Sequence, residues 1–302
     1  MPRVRASIRV TRTATCSSSS STLSTTSGSR NALVILTRCK MEQPMAKVRF
    51  ERDGEVGIVT LADPPLNLIG PELVDDLEKR IEEAESTPLR ALLLRAEGEN
   101  FSAGANVGAM FQNRSAQEAH ALLTRIAGLL RRFEQLPFPT LAAVQGLCLA
   151  GGLEMVLACD LAWAADSAQF GLVEAVIGAI PFGGGAQRVA ERAGPARARE
   201  IVMGGGMYDA ASFERWNILN RVVPAAELAA ASLRYAQRLA AGPTQAHAAT
   251  KRVLREYLDH GTQAADRLIP AVAAPLFETE DMQSGIASLL KDGPGKARFS
   301  GR

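Results

Sequence analysis

From about residue 47 onward, hydrophobic positions alternate between two periods. Val48 and Phe50 have the two-residue period of a β-strand, and residues 57–61 form a second apolar run after the turn residues Asp53 and Gly54. Pro71 then opens a stretch in which apolar residues recur every three or four positions, the pattern of an amphipathic helix. These positions are Leu73, Leu77, Ile81 and Ala84. The first part of this pattern predicts two strands followed by a helix.

The alternation continues through the middle of the chain. Residues 91–94 and 141–144 are short apolar runs typical of buried strands, and residues 116–136 have helical character. Gly151 opens a further helix, and from Ala225 onward the pattern is almost wholly helical. Strands that alternate with helices favour an α/β fold.

Residues 141–165 are apolar enough to raise the question of a membrane span. Gly146, Gly151, Gly152, Glu154 and Asp160 interrupt the run. A strand, a turn and a helix buried in a globular core explain the segment better than a transmembrane helix. We therefore expect no membrane partner.

The first 40 residues have a composition of their own. They contain seven basic residues and no Asp or Glu, and they include an unbroken serine run at residues 17–21. Removing these seven positive charges changes the formal net charge from +2 to −5, so the bulk charge gives no reason to expect a nucleic-acid partner. We assign residues 1–45 to a disordered leader.

Two explanations fit this leader. It has the Arg-rich, Ser-rich and acid-poor composition of an organellar transit peptide, or else translation begins downstream at Met41 or Met45. The Ala-, Arg- and Gly-rich remainder is typical of bacteria and favours the second explanation. We therefore expect a bacterial cytoplasmic protein, with the mitochondrial matrix as the alternative.

Several chemistries have no motif in this sequence. A GxSxG nucleophile elbow, a Walker A loop and an HExxH motif are all missing, and the chain has three histidines. The four cysteines have no CxxC spacing, so Cys148 and Cys159 are interpreted as buried free thiols. We expect no metal site.

Two glycine-containing loops and two acids remain as candidates for chemistry. Residues 100–106 follow a buried strand, and residues 144–154 lead into a helix. Small residues let backbone N–H groups approach a ligand, and the first N–H groups of a helix have no internal partner. Glu154 and Glu174 lie in apolar sequence, where an acid must be paired, exposed on one face or functional.

In combination, these segments resemble the enoyl-CoA hydratase/isomerase (crotonase) superfamily. The resemblance runs from about residue 46 to the C-terminus and is most specific between residues 100 and 190. The segments that match in order and spacing are residues 100–106, 146–154, 158–160, 170–174 and 180–188.

The resemblance implies a crotonase-like spiral of ββα units, at residues 46–233, and a C-terminal helical trimerisation region, at residues 234–302. It also implies a homotrimer or a dimer of trimers. The substrate would be an acyl-CoA thioester, so coenzyme A would arrive as part of the substrate and no separate cofactor is expected.

The resemblance also assigns roles to residues. The backbone N–H groups of Ala105 and Gly151 would form an oxyanion hole for the thioester oxygen. The two hydratase carboxylates fall on Glu154 and Glu174, twenty residues apart as in the family. Following the usual family assignment, Glu154 activates water and Glu174 protonates Cα. Further substrate-binding positions are Ala103, Asn106, Val107, Gly152 and Phe182.

Three positions depart from the family pattern. Asn106 replaces an acid that often follows the first loop, and Gly108 stands where some relatives have a Lys near the nucleotide. Phe182 occupies a position that is glycine in many hydratases, so its ring would narrow the acyl pocket.

Because both hydratase carboxylates of the family are present, the resemblance predicts that the reaction is hydration of 2-enoyl-CoA. One alternative is a double-bond isomerase or another reaction through a thioester enolate. A second is a non-catalytic, RNA-binding relative, suggested by the basic turn at Lys251, Arg252 and Arg255. So few charges are more typical of a solvated helix face.

Overall fold

The computed structural model describes residues 46–302, and the predicted leader at residues 1–45 lies outside this range. The strands are β1 (Val48–Asp53), β2 (Val56–Leu61), β3 (Ala91–Ala96), β4 (Thr140–Val144), β5 (Leu147–Leu149), β6 (Leu161–Ala165), β7 (Gln169–Gly171), β8 (Tyr208–Asp209) and β9 (Arg221–Val223). The α-helices are α1 (Pro71–Ser86), α2 (Val107–Phe111), α3 (Ala116–Glu134), α4 (Gly151–Leu157), α5 (Gly185–Ala193), α6 (Pro195–Gly204), α7 (Ala210–Arg215), α8 (Leu228–Ala240), α9 (Thr244–His260), α10 (Thr262–Ala273) and α11 (Glu280–Asp292). Short 3₁₀ helices span Glu174–Ile177, Ala225–Glu227 and Ala274–Glu278.

Most of the predicted elements are confirmed. The four periodic positions of α1 are all buried, and β2, β3 and β4 occupy the predicted apolar runs. Helix α3 begins at a reciprocal cap in which Ser115 and Glu118 each bond the other's backbone N–H. The sequence pattern did not predict the short α2, the strand β5 or the 3₁₀ helix at Glu174–Ile177.

Two sheets organise the core. The larger sheet has the order β1-β2-β3-β4-β6-β9, with β1 antiparallel to β2 and the other neighbours parallel. The smaller sheet has the order β5-β7-β8, with β5 and β7 parallel. Strands β2 and β4 are buried along their whole length, as expected for parallel strands covered on both faces.

Successive turns of the chain repeat the same path. In one turn β4, β5 and α4 follow one another, and in the next β6 and β7 precede the 3₁₀ helix at Glu174–Ile177. The loop after β3 joins the smaller sheet through a parallel bridge between Ser102 and Cys148. Each turn therefore contributes a strand to the larger sheet and an extended segment to the smaller one, which is the predicted spiral.

Residues 141–165 lie within this core as β4, β5, α4 and β6. Cys148 and Cys159 are buried free thiols, as predicted. Among residues 46–302, no helix has both the length and the apolar character needed to cross a membrane.

The C-terminal region is helical, as predicted, but α8 belongs structurally to the sheet. It packs against β3 and β4, and Tyr235 stacks on Trp163 with ring centroids 4.7 Å apart. The predicted division between residues 233 and 234 falls inside this helix. The apolar face of α8 covers the larger sheet, so the whole helix is packed with the core. Helix α9 is bonded to the core through Lys251, whose Nζ lies 2.7 Å from Oδ2 of Asp160.

Candidate active site

The first candidate loop, residues 100–106, is held in place by the hydrogen bonds of Ser102. Ser102 Oγ donates to the carbonyl oxygen of Asn67 at 2.8 Å and accepts from the Gly104 N–H at 3.2 Å. Ser102 also exchanges backbone bonds with β5, since the Leu149 N–H donates to its carbonyl oxygen at 2.9 Å. Asn67 is itself fully buried. These bonds therefore fix the backbone that leads to Ala105 against β5 and the loop of Asn67.

The second candidate loop makes a sharp turn into α4. Ala150 has a φ of 48°, which non-glycine residues rarely adopt. Its N–H donates to the carbonyl oxygen of Gly171 at 2.8 Å. Such backbone strain persists only where the surrounding structure enforces it, and it is often found at functional sites. Here the turn directs the chain so that Gly151 begins the helix.

The two loops contact each other. A Cβ on Gly104 would lie 3.1 Å from the Cβ of Ala150, so the residues just before Ala105 and Gly151 are in contact. Within residues 46–302, the backbone N–H groups of Ala105 and Gly151 donate to no protein acceptor. Unpaired N–H groups at neighbouring positions can bind an oxygen that gains negative charge during a reaction.

Glu154 lies one turn into α4 and is 4% exposed. Its Oε1 accepts a hydrogen bond from the Gly185 N–H at 2.8 Å. Burial raises the pKa of Glu154, whereas the backbone N–H groups of residues 183–185 and the positive charge of Arg188 oppose this rise. Glu154 is therefore a buried carboxylate whose ionised form has hydrogen-bond donors.

Glu174 begins the 3₁₀ helix and is 9% exposed. Within the described residues, its buried Oε2 has no hydrogen-bond partner. Burial, with a smaller contribution from the neighbouring Glu154 carboxylate, raises the pKa of Glu174 to about 7. A carboxyl group with this pKa can hold a proton near neutral pH and release it to a substrate.

A single apolar cavity of about 160 Å³ brings these groups together. Glu154, Glu174, Ala105 and Gly151 all line it, as do the predicted substrate-binding residues Ala103, Val107 and Phe182. Its apolar walls come from α1, α2, α3 and α4, through Val74, Leu77, Met110, Phe111, Ile126, Leu129, Leu130 and Met155. An apolar pocket with a few convergent polar groups is the usual form of a small-molecule site.

The other two predicted substrate-binding residues lie elsewhere. Asn106 is exposed, caps α2 by accepting from the Ala109 N–H at 3.1 Å, and lines a separate groove with Lys47. Gly152 is buried against Ser102, where a Cβ would come within 2.7 Å of the Ser102 Cβ. Its role in the structure is close packing of α4 on the first loop.

Sequence reasoning assigned no role to several residues of the site. Phe111 meets Phe182 edge-on, with ring centroids 5.3 Å apart. Residues 183–185 were recognised only as a motif, although the Gly185 N–H binds Glu154 and the backbone N–H groups of all three residues lower its pKa. The apolar stripe on α3 is visible in the sequence, but its partner is set by the tertiary fold.

The basic turn on α9 is largely neutralised. Lys251 pairs with Asp160, and Arg255 pairs with Glu134, while Arg252 is exposed. Two of the three cations that suggested RNA binding are thus bound to carboxylates.

Comparisons with known proteins identify the family of the chain. A family model described as enoyl-CoA hydratase/isomerase matches residues 51–296. A Mycobacterium bovis protein named "probable enoyl-CoA hydratase" is 32% identical over 250 residues, which cover 81% of this chain and 95% of the relative. A Rhizobium meliloti protein with the same name is 31% identical over 258 residues, covering 83% and 97%. The crystal structure of an enoyl-CoA hydratase subunit from Geobacillus kaustophilus is similar with a TM-score of 0.79 at 31% identity, covering 85% of this chain and 98% of that one.

Proposed function

Because the chain belongs to the enoyl-CoA hydratase/isomerase family, we propose that it adds water across the double bond of 2-enoyl-CoA thioesters. The observation that carries this proposal is the presence of two buried carboxylates, Glu154 and Glu174, in one apolar cavity with two backbone N–H groups that have no acceptor within residues 46–302. An α,β-unsaturated thioester has one reacting oxygen and two reacting carbons, and each has a matching group in the cavity.

The N–H groups of Ala105 and Gly151 would bind the thioester carbonyl oxygen. Attack of water on Cβ moves electrons from the double bond toward this oxygen and forms an enolate. Donors aimed at the developing charge stabilise it, and one such donor is typically worth about 10²–10³ in rate. The apolar walls exclude bulk water, which strengthens this interaction.

The two carboxyl groups would complete the proton balance. Glu154, with its hydrogen-bonded ionised form, accepts a proton from the attacking water as the C–O bond forms at Cβ. Glu174, with a pKa raised to about 7, delivers its proton to Cα. Proton exchange between the carboxyl groups and solvent resets the site. The overall reaction is redox-neutral and consumes only water, so coenzyme A enters as part of the substrate and no redox cofactor is required.

A direct assay distinguishes hydration from isomerisation. Purified protein is incubated separately with 2-enoyl-CoA and with 3-enoyl-CoA, and the products are identified by mass spectrometry. Hydration removes the conjugated enoyl chromophore and adds the mass of one water to the 2-enoyl substrate. Conversion of 3-enoyl to 2-enoyl-CoA without any hydrated product would refute the proposal and favour an isomerase.

We further propose a homotrimer or a dimer of trimers. The helices after α8 carry exposed large apolar side chains, a feature typical of surfaces that bind another protein. They are Leu254, Tyr257, Leu258, Ile269, Ile286, Leu289 and Leu290. Light scattering coupled to size-exclusion chromatography measures the molar mass, and a monomer would contradict this proposal.

A further inference from the structure

A buried arginine contacts the loop that binds Glu154. Arg188 on α5 is 8% exposed, and its Nη1 donates to the carbonyl oxygen of Gly183 at 2.8 Å. Its Nε and Nη2 donate to the two carboxylate oxygens of Glu134, each at 3.1 Å. A planar guanidinium forms such two-point bonds in a fixed orientation. Arg188 therefore connects residues 183–185 to the end of α3.

The loop itself lies between Arg188 and Glu154. Gly184 has a φ of 96°, and a Cβ at this position would collide with Nη1 of Arg188. On the other side, a Cβ on Gly183 would lie 2.9 Å from Oε2 of Glu154. The absence of side chains at these two glycines is what allows the guanidinium and the carboxylate to approach the same backbone from opposite sides.

The connection extends to the C-terminal region. Glu134 also pairs with Arg255 of α9. Glu134 is only 15% exposed and so carries two guanidinium partners in a partly buried site, where ion pairs are less screened than on the surface. A continuous series of polar contacts thus runs from α9 through α3 and α5 to Glu154.

We propose that Arg188, anchored by Glu134 and Arg255, is a positioning residue that holds residues 183–185 so that the Gly185 N–H binds the Glu154 carboxylate. This role rests on the proposed hydratase function, in which Glu154 must be ionised. In the described part of the chain, Arg188 does not line the cavity, and its guanidinium contacts the loop at the Gly183 carbonyl oxygen. Its positive charge also lowers the pKa of Glu154, so a test must separate the charge of Arg188 from its geometry. The charged groups that act on Glu154 are Arg188 from α5 and Glu174 from the 3₁₀ helix.

The pH dependence of catalysis tests this role. If the loop loosens, Glu154 loses hydrogen bonds that favour its ionised form, so the limb of the kcat/KM profile that rises with pH moves to higher pH. Arg188→Lys keeps the positive charge but loses the two-point geometry. We expect it to move this limb upward and to lower kcat/KM at neutral pH by roughly 10- to 100-fold. Arg188→Met, which also removes the charge, moves the limb further.

Two matched controls separate positioning from general stability. Arg192→Lys changes a partly buried arginine of α5, which donates to the carbonyl oxygens of Leu157, Cys159 and Ile218 and not to the glycine loop. It lowers the melting temperature without moving the rising limb. On α9, Arg255→Gln moves the limb in the same direction as Arg188→Lys, whereas the exposed Arg252→Gln leaves it in place.

Two results overturn the positioning role. In one, the rising limbs of Arg188→Lys and Arg255→Gln coincide with that of the wild type. In the other, the limb moves for Arg188→Met but not for Arg188→Lys, which makes charge alone responsible. A wild-type protein that does not hydrate 2-enoyl-CoA is a different failure: it refutes the proposed function, and the role of Arg188 with it.

Discussion

The two acids of the cavity lie in opposite surroundings. Glu154 accepts a hydrogen bond from the loop of residues 183–185 and is under the influence of Arg188, whereas Oε2 of Glu174 has no partner in the described residues. Both are buried, and burial raises the pKa of both. Backbone donors, and not burial, therefore distinguish the carboxyl group suited to accept a proton from the one suited to deliver it.

This difference originates in the elements that carry the two residues. Glu154 points from a helix toward the N-terminus of α5, where helix N–H groups are available. Glu174 starts a short 3₁₀ helix whose last two residues, Val176 and Ile177, have exposed apolar side chains. Its surroundings thus offer apolar contact and few donors.

Removal of either carboxyl group should impair catalysis more than any other change. Glu154→Gln and Glu174→Gln should each lower kcat by about 10²–10⁴, the usual contribution of a positioned acid or base. Loss of the enoyl chromophore measures turnover, and the exposed Glu99→Gln is the control. Near-normal turnover in both variants would contradict the assignment of the two residues to proton transfer.

The pH profile is the next test. Activity should rise as Glu154 ionises and fall as pH exceeds about 7, because Glu174 then loses the proton that it must deliver. Because the two carboxyl groups interact, the apparent pKa values of the two limbs describe the pair of groups together. Measurements of kcat/KM between about pH 5 and pH 9 should give a bell-shaped curve that declines by roughly tenfold per pH unit on its alkaline side. A flat profile through pH 7 would show that Glu174 does not titrate as its surroundings indicate.

Phe182 tests whether acyl selectivity and proton transfer are separate properties. Phe182→Ala removes the ring that packs on Phe111 and enlarges the cavity, while leaving residues 183–185 unchanged. We expect kcat/KM for longer or branched enoyl-CoA, relative to a short substrate, to increase about tenfold, the usual scale of hydrophobic-pocket discrimination. The pH profile should match that of the wild type. An unchanged preference across a panel of acyl lengths would exclude Phe182 as a determinant of selectivity.

The effect of Glu174 on stability should be modest. The pKa of Glu174 is raised in the folded state, because ionising this buried group is unfavourable. The contribution of Glu174 to the free energy of unfolding is therefore greatest at low pH and is lost as pH rises through about 7. Glu174→Gln removes this penalty and should raise the melting temperature by a few degrees at pH 8 relative to the wild type. At pH 5 the difference should be smaller. Calorimetry at the two pH values, with Glu99→Gln for comparison, measures it, and an equal difference at both would contradict the predicted ionisation.

Much of the fold followed from local pattern. The buried runs at β2, β3 and β4 and the periodic positions of α1 predicted their elements, because burial on both faces of a sheet or along one stripe of a helix leaves a direct mark on sequence. The short strand β5 and the 3₁₀ helix at Glu174 were not predicted. Both are too short to have a period of their own, and β5 also depends on pairing with β7, about twenty residues further along the chain.

The amino-acid sequence alone identifies the groups available to the site: two acids twenty residues apart, two loops of small residues, and a phenylalanine just before the glycines of residues 183–185. The surroundings of these groups depend on the tertiary structure. The fold places α5 and Arg188 beside Glu154, leaves one oxygen of Glu174 without a hydrogen-bond partner among residues 46–302, and packs Phe111 against Phe182. Hydrogen bonding and desolvation depend on atoms that are distant along the chain, so protonation and pocket shape are properties of the fold.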